Sequence, residues 1–214
     1  MEREIVINGI KYRAVEEAGP TTAQSENRVK PTLEDYTTIK TYEDACEALG
    51  EKPYLNEMQE TKLYSSCEGK NIQIVLPKSV IAFMKLETIA RALHGRNFEP
   101  YPLAKDKDGE YKYYWHPYFA CYTKEELEDM SSKDIKDKRM LKVTGWCAVG
   151  GLANRGALVG FGYVRADGVW AFAHVGCGSR LCQESEAKAK YFGTQFIELW
   201  AAYRGFETDG FIEQ

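Results

Sequence analysis

Residues 176–200 read GCGSRLCQESEAKAKYFGTQFIELW. Two regimes meet in this stretch. Gly176 and Gly178 flank Cys177 in a tight bend, and Ser179-Arg180-Leu181-Cys182 leads the chain out of it. Further on, Phe192, Phe196, Leu199, Trp200 and Tyr203 recur at i, i+4, i+7, i+8 and i+11, which is one face of an α-helix. The spacing predicts a helix over Glu184–Arg204 that stops at Gly205. Gly193, in its middle, costs about 1 kcal/mol relative to alanine, so another backbone is expected to approach closely there.

Upstream of this helix the pattern turns to strands. Leu141–Val175 holds three candidates, Lys142–Val149, Ala157–Val164 and Val169–Val175, with Ala166-Asp167-Gly168 as the turn between the last two. Nine glycines between Gly145 and Gly178 imply tight bends and close backbone packing. Tyr111–Tyr122, YKYYWHPYFACY, reads as an aromatic strand interrupted at His116-Pro117, because proline is confined to edges and bulges. Ile72–Leu76 is a short β-prone run ending at Pro77, which suits the first turn of a helix over Pro77–His94. That helix has a wide apolar arc and is expected to be largely buried.

Thr41–Gly50 reads as a compact helix, with Thr41 as N-cap, Glu43 and Asp44 in the first turn, and Gly50 as stop. Residues 51–70 read as polar and irregular, 96–110 as a loop, and 124–139 as a charged surface helix or insertion. Glu4–Val15 is a hairpin pattern around Asn8-Gly9. The expected fold class is α+β: an antiparallel sheet covered by two long helices, with an N-terminal β-hairpin appendage. The expected organisation is a hairpin over 1–17, a linker over 18–40, a single domain over 41–206 and a tail over 207–214.

The 214 residues are 44% hydrophobic and 28% charged, within the range of folded globular proteins. The net charge of −4 makes no general case for nucleic acid. No apolar run approaches the roughly 20 residues that span a bilayer, and Met1-Glu2-Arg3-Glu4 is not a secretory signal. The expectation is an intracellular protein with reduced thiols at its six cysteines.

TYEDACEALG, LPKSVIAFMKLETIARALHG, YKYYWHPYF and GSRLCQESEAKAKYFGTQFIELW occur here in order over residues 41–200. Together they resemble a group of uncharacterised phage and prophage proteins of gut Bacteroidetes, a domain of unknown function. His116 and the charged stretch 123–140 depart from that pattern. The resemblance implies a mobile-element origin, in the cytoplasm of a bacterial host or in the virion, and brings no catalytic residue with it.

The residues offer four candidate chemistries. His174, Cys177 and Cys182 form an H-x2-C-x4-C cluster whose ligand types suit zinc, with Cys147 or Cys121 to complete it. The spacing matches no paired C-x2-C arrangement, and buried packing is the favoured reading, so no cofactor is assigned. Cys177 with His174 or His116 would pair a thiol and an imidazole, but no third orienting group stands out and no catalytic residue is assigned. Ser179 and Arg180 precede a helix and could hold an anion; a tight turn with local pairing is preferred. Tyr113, Trp115 and Tyr118 belong to an aromatic run suited to a protein partner, of host or virion. The alternative is a single-stranded nucleic acid stacked on strand 111–119 with help from Arg155, Arg165 and Arg180. The leading expectation is a non-enzymatic accessory protein that binds another macromolecule, with no membrane association.

Overall fold

A computed structural model describes residues 4–7, 10–13, 28–57, 62–67, 70–96, 98, 100–101, 103–146, 158–170 and 179–213. The chain divides into two compact units, Met1–Lys30 and Pro31–Gln214. The first contains β1 (Glu4–Ile7) and β2 (Ile10–Arg13), paired antiparallel with Ile7 opposite Ile10. The Asn8-Gly9 pair lies outside the described residues, as do residues 18–27 of the expected linker.

In the second unit the core takes in residues that composition assigns to the linker. Tyr36–Thr38 form a 3-10 turn capped by Asp35, and Ile39 is fully buried in the main core. Pro31–Lys40 therefore belongs to the larger unit and not to a tether: polar composition hid one apolar anchor. Helix α1 (Tyr42–Leu49) has the expected start. The Thr41 hydroxyl accepts the Asp44 N–H at 3.1 Å while the Asp44 carboxylate accepts the Thr41 N–H at 3.0 Å. The reciprocal pair satisfies donors that the first helical turn cannot.

Residues 51–70 are not wholly irregular. They hold the short α2 (Tyr54–Glu57) and β3 (Lys62–Cys67), which pairs antiparallel with β4 (Lys70–Val75). Helix α3 (Lys78–His94) starts behind Pro77 and ends at Gly95 as its pattern predicts.

The sheet is four-stranded and antiparallel, in the order β5 (Tyr113–Tyr122), β7 (Gly160–Trp170), β6 (Leu141–Trp146), β8 (Phe206–Phe211). The fold is α+β. Three local expectations change. His116-Pro117 does not interrupt β5, because an edge strand bonds a neighbour on one side only and tolerates a missing N–H; the irregularity falls one step later, at Tyr118/Phe119. Ala166-Asp167-Gly168 is not a turn, and β7 runs straight through it against β5. Gly168 serves packing instead: a Cβ there would collide with the Tyr113 ring. Residues 207–211, expected in a tail, are strand, with Phe206 anchored by its ring 5.3 Å from that of Phe161.

The final helix is broken. Phe196, at φ −111° and ψ 28°, separates α6 (Glu186–Gln195) from α7 (Ile197–Tyr203). At the break the Trp200 indole N–H donates to the Phe192 carbonyl at 3.3 Å. Helices α6 and α7 lie against the strands, while α3 packs mainly on α7 and α1. The long helices thus form successive layers. Phe161, Tyr163, Phe192, Phe196 and Trp200 belong to the core between sheet and helix, and Leu86, Ile89 and Leu93 extend it to α3. The close approach at Gly193 comes from side chains: a Cβ would lie 2.5 Å from the Pro117 Cβ and 2.9 Å from the Tyr163 ring. The charged stretch after β5 folds as α4 (Lys124–Glu128) and α5 (Ser132–Asp137), closed by a small second core of Leu127, Ile135 and Met140.

Candidate interaction surface

The β5–β7 ladder sets where the aromatic run points. Tyr113 opposes Trp170, Trp115 opposes Gly168, and Tyr118 opposes Arg165. Since side chains alternate across a strand, Tyr113, Trp115 and Trp170 share one face while His116, Tyr118, Arg165 and Asp167 share the other. The structure therefore splits the expected trio of Tyr113, Trp115 and Tyr118.

On the first face the Tyr113 ring stands edge-on to Trp170 at 5.0 Å and to Trp115 at 5.3 Å. Its hydroxyl donates to the Gly168 carbonyl at 2.8 Å, fixing the ring over the glycine. Tyr113 and Trp170 remain 41% and 47% exposed. On the second face Tyr118 is 48% exposed beneath the Arg165 guanidinium, 4.9 Å from its ring centre. Arg165 is already held by Asp167 at two points, 2.7 and 3.1 Å. Beside them the His116 imidazole is disfavoured as a cation by burial, and its Nδ1 meets no partner among the described residues.

The Ser179–Leu181 segment forms a 3-10 turn that packs against α3. Two residues later the backbones of Trp115 and Gln183 exchange hydrogen bonds of 3.0 and 2.8 Å, closing part of the β5 edge. Ser185 caps α6 by accepting the Lys188 N–H. Arg180 is exposed, 3.6 Å from Glu87, at a cleft of about 440 Å³ shared with Arg91, His94, Arg96 and Phe98. Arg91 is bound to Glu51 at 2.9 and 2.8 Å, and Arg96 to Glu34 at 3.0 Å. Each arginine carries its own counter-charge, so the cleft concentrates little net positive field.

Of the candidate metal ligands, His174, Cys177 and Cys147 lie outside the described residues, as does Arg155 of the nucleic-acid alternative. Cys182 is fully buried, and its carbonyl lies 2.7 Å from His94 Nε2. Among the described residues no group of three or more His, Cys, Asp or Glu is placed to hold a metal ion. Burial pushes the Cys46 and Cys121 thiols up, away from the thiolate a nucleophile needs. No helix among the described residues is long and apolar enough to cross a membrane.

The sequence names Arg165 beside the aromatic strand, but neither its Asp167 counter-charge nor Trp170 as parts of this surface. The alternation of Val169 and Trp170 was visible, but the expected turn at 166–168 severed both from the aromatic strand. No protein-family model matches the chain, and no curated protein or solved structure matches it either.

Proposed function

We propose that the chain is a non-enzymatic accessory protein of phage or prophage origin that binds another protein, of the host or the virion, through the β5–β7 ribbon. The observation that carries this reading is the exposure of three large aromatics, Tyr113, Trp170 and Tyr118, on one pair of adjacent strands. Aromatic side chains supply large contact area for little lost conformational freedom, which is why they dominate binding hot spots. Tyr113 is pre-ordered by its bond to Gly168 and by two edge-on rings, so little further ordering attends binding. The origin rests on the resemblance of the four sequence blocks.

A protein partner is favoured over single-stranded nucleic acid by the state of the local cation. Arg165 is committed to Asp167 in a two-point pair, whereas a phosphate backbone calls for guanidinium groups free to neutralise it. The decisive experiment is capture of partners from phage-producing host cells by tagged protein, read by mass spectrometry, with Tyr113→Ala/Trp170→Ala alongside. Loss of the captured species from the double variant, with its far-ultraviolet circular dichroism intact, supports the reading. Truncating two hot-spot anchors should cost about 2 kcal/mol or more, some 30-fold in affinity. A capture profile unchanged in the variant, or tight binding of an oligothymidylate at low salt, rejects it.

A further inference from the structure

Beyond the aromatic ribbon, the opposite edge of the sheet carries a second feature. Strand β8 ends the strand order, and among the described residues it pairs with β6 alone. Between its C-terminal end and α5 lies a groove of about 650 Å³. Ile135, Met140, Phe211 and Ile212 supply an apolar lining, and Lys133, Lys136 and Arg139 a cationic one, against the single carboxylate of Glu213.

The charges here differ from those at the arginine cleft. Arg91, Arg96 and Arg180 each face a glutamate, but no ion pair is formed by Lys133, Lys136 or Arg139 among the described residues. Arg139 is also held in place at some cost. Its φ of 48° is in the left-handed region that glycine enters freely and arginine does not, and its guanidinium stacks 4.7 Å from the centre of the Phe211 ring. Phe211 itself stays 41% exposed. A cation is thus fixed over an apolar surface, at a position where glycine would be easier for the backbone.

We infer that this groove docks an acidic, extended peptide segment of a partner protein, its apolar side chains on Phe211 and Ile212 and its carboxylates facing Lys133, Lys136 and Arg139. The charge complementarity selects an acidic segment. The apolar floor and the strand edge beside it select a peptide over a polyanion without apolar side chains. The inference is independent of the aromatic ribbon, which lies on the other edge strand.

The test is fluorescence anisotropy of the full chain with a labelled peptide of about ten residues alternating valine and glutamate, in low-salt buffer. The same peptide with lysine in place of glutamate, and an oligothymidylate of similar charge, serve as controls. Saturable binding of the acidic peptide alone is expected. Lys133→Glu/Lys136→Glu should weaken it about tenfold or more, since two exposed attractions become repulsions. Arg139→Gly, which relaxes the backbone and so keeps the fold, should weaken it as well. The inference is overturned by absence of saturable binding at low salt, by equal affinity in the variants, or by tighter binding of the oligothymidylate than of the peptide.

Discussion

Replacing Gly193 by alanine sets two magnitudes against each other, and the structure decides the sign. Helix propensity alone favours the substitution by about 1 kcal/mol, because glycine is the poorer helix former. The tertiary surroundings oppose it. A Cβ at residue 193 would lie 2.5 Å from the Pro117 Cβ and 2.9 and 3.1 Å from two Tyr163 ring carbons. Carbon atoms in contact sit about 3.5–4.0 Å apart, so the overlap with proline is about 1 Å. Neither neighbour yields easily: Pro117 is a rigid ring within β5, and Tyr163 is 6% exposed within β7. Overpacking of this kind costs about 1–3 kcal/mol and here has to overcome the propensity gain as well. With two buried neighbours displaced, the upper part of that range applies, and Gly193→Ala should lose about 1–2 kcal/mol net. Urea unfolding followed by tryptophan fluorescence measures it, since Trp200 lies in the same core. The Pro117→Gly background provides an internal check: removing the facing Cβ should shrink the alanine penalty, giving a favourable coupling in the double-mutant cycle. Unchanged or increased stability of Gly193→Ala would refute the close approach of α6 to the sheet.

Three further outcomes follow from local chemistry. Thr41→Ala removes the acceptor for the Asp44 N–H and should cost about 1 kcal/mol in the urea midpoint analysis; no loss would mean the cap is not formed. His94 and His116 are both held below their ordinary value, chiefly by burial, so the unfolded chain takes up protons first as pH falls. Their contribution to stability is complete above about pH 6.5 and is lost on acidification, so the urea midpoint should drop between about pH 7.5 and 5.5. His94→Gln should reduce that drop, and an identical drop in the variant would sink the assignment to His94. Gln183 is fully buried, and neither its amide oxygen nor its nitrogen has a hydrogen-bond partner among the described residues. Gln183→Met, of similar size, should therefore stabilise the protein by about 1–2 kcal/mol; a marked loss of stability would show that the amide is satisfied after all.

Local patterns carried much of the architecture. The periodic apolar residues of α3 and of the last helix, the Thr41 cap, and the aromatic strand at 113–122 were all legible, because each depends on neighbours within one or two turns of chain. The break at Phe196 was less so. It satisfies the Phe192 carbonyl through the Trp200 indole, a side-chain bond that periodicity does not register. The hairpin of β3 and β4 was missed because KLYSSC is too polar to announce a strand and its stability depends on pairing.

The candidate surface was half legible. Tyr113, Trp115 and Tyr118 could be singled out by type, but one residue of alternation places Tyr118 on the opposite face from the other two. Arg180 could be singled out as a cation, while its pairing with Glu87, a residue of α3 distant in sequence, could not.

By itself the sequence determined the fold class, the ends of its long helices and the aromatic character of one strand, since these follow from short-range periodicity and end-capping chemistry. Only the tertiary structure decided that Ala166-Asp167-Gly168 continues a strand. A Gly in that run signals a turn when local conformational preference is the only guide. Pairing of β7 with β5 instead gives the backbone its hydrogen bonds, and the Tyr113 ring fills the space where a side chain would have been. Such long-range pairing is a property of two segments together, and neither segment encodes it alone.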